Sequence, residues 1–159
     1  MKLPLFLMIG ATLALLSLVS CSDKDLPTSG DQKDYTPAVL QENKMMHSFA
    51  EGHPGLTILK YAQADLDNDD REDLIVIYQI AKDLNHMCVI LHGGEGFVES
   101  NSVPAPVSDQ MIQFKDIDNK TPLEFILQGR KGTKVGYAIF RIEDGKLTDL
   151  FGQGMEDCC

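Results

Sequence analysis

The chain has 159 residues, with 14 Lys and Arg against 24 Asp and Glu, a net charge of −10, and four cysteines. A surface this acidic repels nucleic acid and anionic headgroups, so neither is expected as a partner. The cysteines form no disulfide framework, and no Ser-His-Asp order, phosphate loop, CxxC or HExxH pattern occurs, so no enzyme is expected.

Lys2 is followed by an uncharged run from Leu3 to Val19 and then by Ser20 and Cys21, the layout of an export leader over 1–20. An uncleaved spanning helix would need about 20 apolar residues with flanking charges. The stretch Leu18-Val19-Ser20-Cys21 matches the lipobox, in which a peptidase cuts before a cysteine that carries lipid on its sulfur. Cys21 is therefore expected to anchor a lipoprotein to the extracytoplasmic face of the cell membrane, several acyl chains giving lasting attachment. Loss of Lys2 makes the mature charge −11. Residues 21–36 are polar, carry Pro and Gly, and show no apolar period, which predicts a tether.

One domain is expected over 37–155. Thr36-Pro37 can open a helix, since Pro is tolerated at a first helical position, with Val39, Leu40, Met46 and Phe49 as its apolar face and Gly52 and Pro54 as its stop. From Gly55 onward, short runs rich in Val, Ile, Phe and Tyr alternate with Gly, Asn and Asp. These predict strands near 56–64, 73–80, 86–92, 96–100, 111–115, 123–128, 135–142 and 146–151.

The segment from Asp65 to Val76 is echoed 51 residues later by Asp116 to Leu127. Each copy leads through a strand, a polar turn (81–85; 130–134), a second strand and a Gly-bearing turn (93–96; 143–146), defining units of about 65–105 and 116–155. The fold class is thus mainly β (α+β). Two units cannot close a propeller of four or more blades, so the expectation is a propeller-like fragment or a pair of packed antiparallel sheets, with the helix covering one exposed face or edge.

In the first copy Asp65, Asp67, Asp69 and Asp73 stand at positions 1, 3, 5 and 9 of a loop that resembles the calcium loop of FG-GAP and VCBS repeats, D-x-D-x-D-G-x-x-D-L. Alternate carboxylates in a tight loop converge on one point, which suits a hard cation such as Ca²⁺. The resemblance implies that Leu66 or Arg71 lends a backbone carbonyl and that Asp73 closes the site. Asp70 departs from the pattern, which has a Gly able to take positive φ there. A solvated turn is the alternative. The second copy keeps Asp116, Asp118 and Glu124 but has Lys120 in place of a third aspartate, so an internal ion pair and no metal is expected there.

Cys88 sits in the apolar run 87–91 and reads as a buried strand residue, flanked at even spacing by His86 and His92 as a weaker Cys/His candidate. Met45, Met46, His47 and His53 are soft donors better read as core and surface.

The chain ends Gly152-Gln153-Gly154-Met155-Glu156-Asp157-Cys158-Cys159, which predicts a mobile arm over 156–159 with a reduced dithiol. Adjacent Cα atoms ~3.8 Å apart lie too close for an easy disulfide. Soft thiolates at Cys158 and Cys159 suit Hg²⁺ or an organomercurial far better than Ca²⁺. Glu156, Asp157 and the terminal carboxylate are expected to raise the thiol pKa values, favouring capture over redox turnover. A lipobox leader, a domain of this size and a Cys-Cys terminus together resemble the Cys-Cys-COOH (seleno)protein SaoC family of the selenocysteine-assisted organometal transport system. Members end in two cysteines or in selenocysteine and cysteine. The resemblance implies an ABC-type permease and a lyase of the organomercurial type as neighbours, with this chain as a monomeric capture or hand-off component. Capture by such an arm requires its thiols to be free. A tail buried in the core leaves the alternative, a calcium-stabilised β interaction module at the cell surface, with a thiol redox protein as a third option.

Overall fold

The computed structural model describes residues 43–159; the leader, Cys21, the tether, Val39 and Leu40 lie outside the described residues. Helix α1 spans Lys44–Gly52; its expected opening at Thr36-Pro37 lies outside the described residues. Asn43, in an extended conformation, accepts hydrogen bonds from the N–H groups of Met45 and Met46 at 3.0 Å each, satisfying two of the donors that the first turn leaves unpaired. Among the described residues no helix is long and apolar enough to cross a membrane.

Nine strands follow: β1 (Thr57–Ala64), β2 (Asp73–Ala81), β3 (Leu84–His92), β4 (Phe97–Glu99), β5 (Val103–Ala105), β6 (Ser108–Phe114), β7 (Phe125–Lys131), β8 (Lys134–Glu143) and β9 (Lys146–Gln153). They form two antiparallel sheets, β1-β2-β3-β4 with β5 also on β3, and β6-β7-β8-β9. Each sheet is one repeat unit preceded by its first strand, so the sequence echo corresponds to a repeated four-stranded meander. The β8–β9 hairpin turns on Asp144-Gly145, with φ values of 52° and 73°, the pair of positive angles that a tight hairpin turn needs and that Asp-Gly supplies at low cost.

Strand β5 was not legible in the sequence. Pro104 donates no ladder hydrogen bond, which weakens a strand signal, yet an edge position tolerates it. Strands β4 and β5 pair with opposite ends of β3, Leu91 with Val98 and His86 with Pro104. Between them Ser100 binds Val89 twice, its N–H donating to the Val89 carbonyl at 2.8 Å and its Oγ accepting from the Val89 N–H at 3.0 Å. The two segments therefore act as one interrupted edge.

The main core lies between the sheets, where Ile75, Ile77, Met87 and Val89 meet Ile112, Phe125, Leu127 and Phe140. Leu74, Val76, Tyr78, Cys88 and Ile90 face the other way, beneath Met45, Met46 and Phe49 of α1. The order of layers is helix, sheet, sheet. As the sequence suggested, the helix covers an exposed sheet face. A four-residue helix, α2 (Met155–Cys158), ends the chain.

Candidate functional site: the acidic loop and the docked cysteine pair

The loop between β1 and β2 is shaped by its first aspartate. Asp65 accepts backbone N–H groups from Asn68, Asp69 and Asp70 at 2.8, 3.2 and 3.0 Å. Asn68 and Asp70 take φ values of 65° and 64°. The position where the repeat pattern has Gly thus does require left-handed backbone, and Asp70 adopts it. Asp65, Asp67 and Asp73 bring carboxylate oxygens within 4.8 Å of one another. Asp73 is fully buried; one of its oxygens accepts the Leu66 N–H at 2.8 Å, and the other, Oδ1, has no hydrogen-bond partner. Asp67 Oδ1 is likewise buried without a partner. Burial, reinforced by the neighbouring aspartates, pushes the Asp73 carboxyl up to about 6 and raises that of Asp67. These buried oxygens accept no hydrogen bond, although His92 Nδ1 stands 3.8 Å from Asp73 Oδ1, and their convergence on one point is what a divalent cation would satisfy.

Asp69 stands apart from this group. Its carboxylate takes both a backbone N–H at 2.9 Å and the guanidinium of Arg71, which holds its pKa below the usual range. As placed, the site has three of its four expected ligands, because the arginine two residues on outcompetes the loop centre.

In the second copy, Asp116, Asp118 and Glu124 cluster in the same way, and Glu124 accepts the Ile117 N–H at 3.0 Å as Asp73 accepts that of Leu66. Lys120 reaches Asp118 only at 3.6 Å and is exposed. The main internal cation is Arg141 on β8, which pairs with Glu124 and lies 2.8 Å from Asp118. It holds the Asp118 carboxyl below its usual range. Nothing in the local sequence identified Arg141, since it reaches the loop from a strand 17 residues beyond Glu124.

Cys88 is buried under α1, and burial raises its thiol pKa. His86 and His92 are six residues apart on a strand, about 20 Å, too far to share one ion. Each has its own neighbours: His86 Nδ1 lies 2.8 Å from Ser102 Oγ, and His92 Nδ1 lies 3.8 Å from Asp73 Oδ1. Met45 and Met46 are core, His47 pairs with Glu51, and His53 lies 2.7 Å from Glu99.

The terminal residues form no swinging arm. Helix α2 packs on β8, the Cys158 carbonyl accepts the Val107 N–H at 3.1 Å, and Lys134 holds Asp157 at 2.6 Å. Cys158 is fully buried and Cys159 half-buried, with their Sγ atoms 3.4 Å apart and no disulfide between them. Burial, followed by the Cys158 thiol beside it, pushes the Cys159 thiol up to about 12. For Cys159 the direction is the expected one, but burial and the adjacent thiol cause it, not the acidic neighbours. Docking depends on two glycines: Gly154 takes a φ of 68°, and Gly136 leaves the space beneath the tail. A Cβ at Gly136 would run into the Gly154 carbonyl and stand 2.8 Å from Cys158 Sγ. Gly136→Ala is therefore expected to release α2 and raise the rate at which a disulfide reagent such as DTNB modifies the tail thiols by at least ~10-fold, equivalent to about 1.4 kcal/mol of docking. An unchanged rate would mean that the tail is not held there.

In comparisons with known proteins, the chain matches no family model, no curated protein and no solved structure.

Proposed function

We propose that this chain is a lipoprotein, anchored through Cys21 at the extracytoplasmic membrane surface, that captures a soft metal ion or organomercurial at Cys158 and Cys159 and hands it to an ABC-type permease. One observation carries this reading: two unbridged thiols are held 3.4 Å apart beside an open recess. The free-arm form of capture is lost, since Cys158 is buried; the docked pair keeps one reachable thiol, because Cys159 is only half-buried and lines the recess. Cys159 meets the ligand first, and Cys158 joins only as α2 shifts, so capture is slower than by a free dithiol. Each new sulfur–metal bond releases the thiol proton, and a strongly thiophilic ion displaces it despite the raised pKa. A bridge between adjacent cysteines is strained, which weighs against redox turnover.

Two propeller-like units and a Ca²⁺ ion held by Asp65, Asp67 and Asp73 would make the domain a rigid carrier for this tail. The buried Asp73 oxygen that accepts no hydrogen bond supports the second reading, a calcium-stabilised β interaction module in which the tail is incidental. Titration with Hg²⁺ or methylmercury, followed by the sulfur-to-mercury absorption band, separates the two. Capture predicts a stoichiometric adduct that Cys158→Ser/Cys159→Ser abolishes. Binding that survives the double substitution, or no adduct at all, leaves only the interaction module.

A further inference from the structure

Resting on the capture reading, we infer that Met155 is a third sulfur ligand and that the recess beside it is a specificity pocket for the organic substituent of the captured metal. Cys158 Sγ lies 3.7 Å from Met155 Sδ as well as 3.4 Å from Cys159 Sγ. Sulfurs bound at ~2.3 Å to one tetrahedral ion stand ~3.8 Å apart, so both distances from Cys158 are already near those of a shared ion, which the shift of α2 would admit. A thioether donates without losing a proton and adds softness but no charge, which suits a singly charged soft cation.

Met155 and Cys159 also line a recess of about 430 Å³, and Leu84, Val103, Pro104 and Phe140 supply its apolar wall. Bare Hg²⁺ gains nothing from such a wall, whereas an organic group buries apolar surface against it. A cavity of ~150 Å³ holds a benzene ring, so this one has space for an aryl substituent. Asp149 and Glu156 lie on the same lining and favour a cationic ligand over an anionic one. In the capture step the Cys159 thiol gives its proton to solvent, the sulfur–metal bond forms, and the chloride or water previously on the metal leaves. The metal–carbon bond stays intact and its substituent enters the recess.

The test is competitive titration of the whole chain with phenylmercury and methylmercury against a small-molecule thiol. Wild type is expected to prefer phenylmercury by roughly 10-fold or more beyond the preference of the thiol itself, the scale on which apolar pockets discriminate. Leu84→Trp, at a partly exposed rim position, is expected to fill the recess and abolish that preference while methylmercury still binds. Met155→Leu keeps the apolar volume and is expected to weaken methylmercury binding, with loss of a third sulfur from the metal's X-ray absorption spectrum. A wild type without phenyl preference, or a Leu84→Trp chain that retains it, overturns the pocket; an unchanged sulfur count in Met155→Leu overturns the third ligand. In either case the capture reading stands as long as the double cysteine variant still abolishes the adduct. No adduct with wild type ends that reading itself.

Discussion

Arg141→Met is expected to destabilise the domain by roughly 3–5 kcal/mol, because it removes one partner of a buried ion pair. Glu124 is almost entirely buried, and its two oxygens are committed to the Ile117 N–H and the Arg141 guanidinium. Without the guanidinium the carboxylate keeps its desolvation cost and loses the charge that offset it. Asp118 simultaneously loses its closest cation. Urea unfolding should show the loss as a lower midpoint at unchanged slope. Glu124→Gln in the same chain should restore much of the stability, since an amide still accepts the Ile117 N–H and carries no charge. A loss below about 1 kcal/mol would place Arg141 among ordinary surface ion pairs.

The two acidic loops illustrate how far the sequence reaches. Spacing, read with the resemblance to the FG-GAP and VCBS calcium loop, grouped Asp65, Asp67 and Asp73, and Asp116, Asp118 and Glu124, whose clustering is local, set by backbone turns within ten residues. The same spacing overcounted Asp69, since a nearby arginine can take a carboxylate away from a site without disturbing the pattern. It also missed Arg141, whose role depends on how β8 lies against β7. Strand periodicity and Gly-bearing turns gave both meanders, but the Pro in β5 concealed an edge strand. The tail misled for a related reason. Two glycines before a polar end suggest a free arm, yet Gly154 provides a left-handed turn and Gly136, from a distant strand, provides the space into which Cys158 packs. Tertiary space left by a glycine has no sequence signature at the segment that fills it.

In EDTA the domain is expected to become more stable as pH falls from 7 towards 5, and with Ca²⁺ present that trend should reverse. The Asp73 carboxyl is raised from 3.8 to about 6 in the folded chain. Between those values the folded state holds a proton that the unfolded state has lost, so stability falls as pH rises through this window. The penalty is complete above about 6 and amounts to roughly 2–3 kcal/mol for this one group. Below about 4 the gain ends, and protonation of Asp69 and Asp118, whose pKa values are lowered by Arg71 and Arg141, acts the other way. A divalent cation bound by Asp65, Asp67 and Asp73 needs the carboxylates charged, so its stabilisation is greatest at pH 7 and fades as Asp73 takes up its proton. At a hundred times its dissociation constant, Ca²⁺ should add about 2.7 kcal/mol at pH 7. Asp73→Asn keeps an acceptor for the Leu66 N–H and removes the charge. That variant should match or exceed wild type in EDTA at pH 7 and give no thermal shift with Ca²⁺. A wild-type Tm that ignores both Ca²⁺ at pH 7 and the change from pH 7 to 5 in EDTA would show that the loop binds no cation and that Asp73 carries no strained charge.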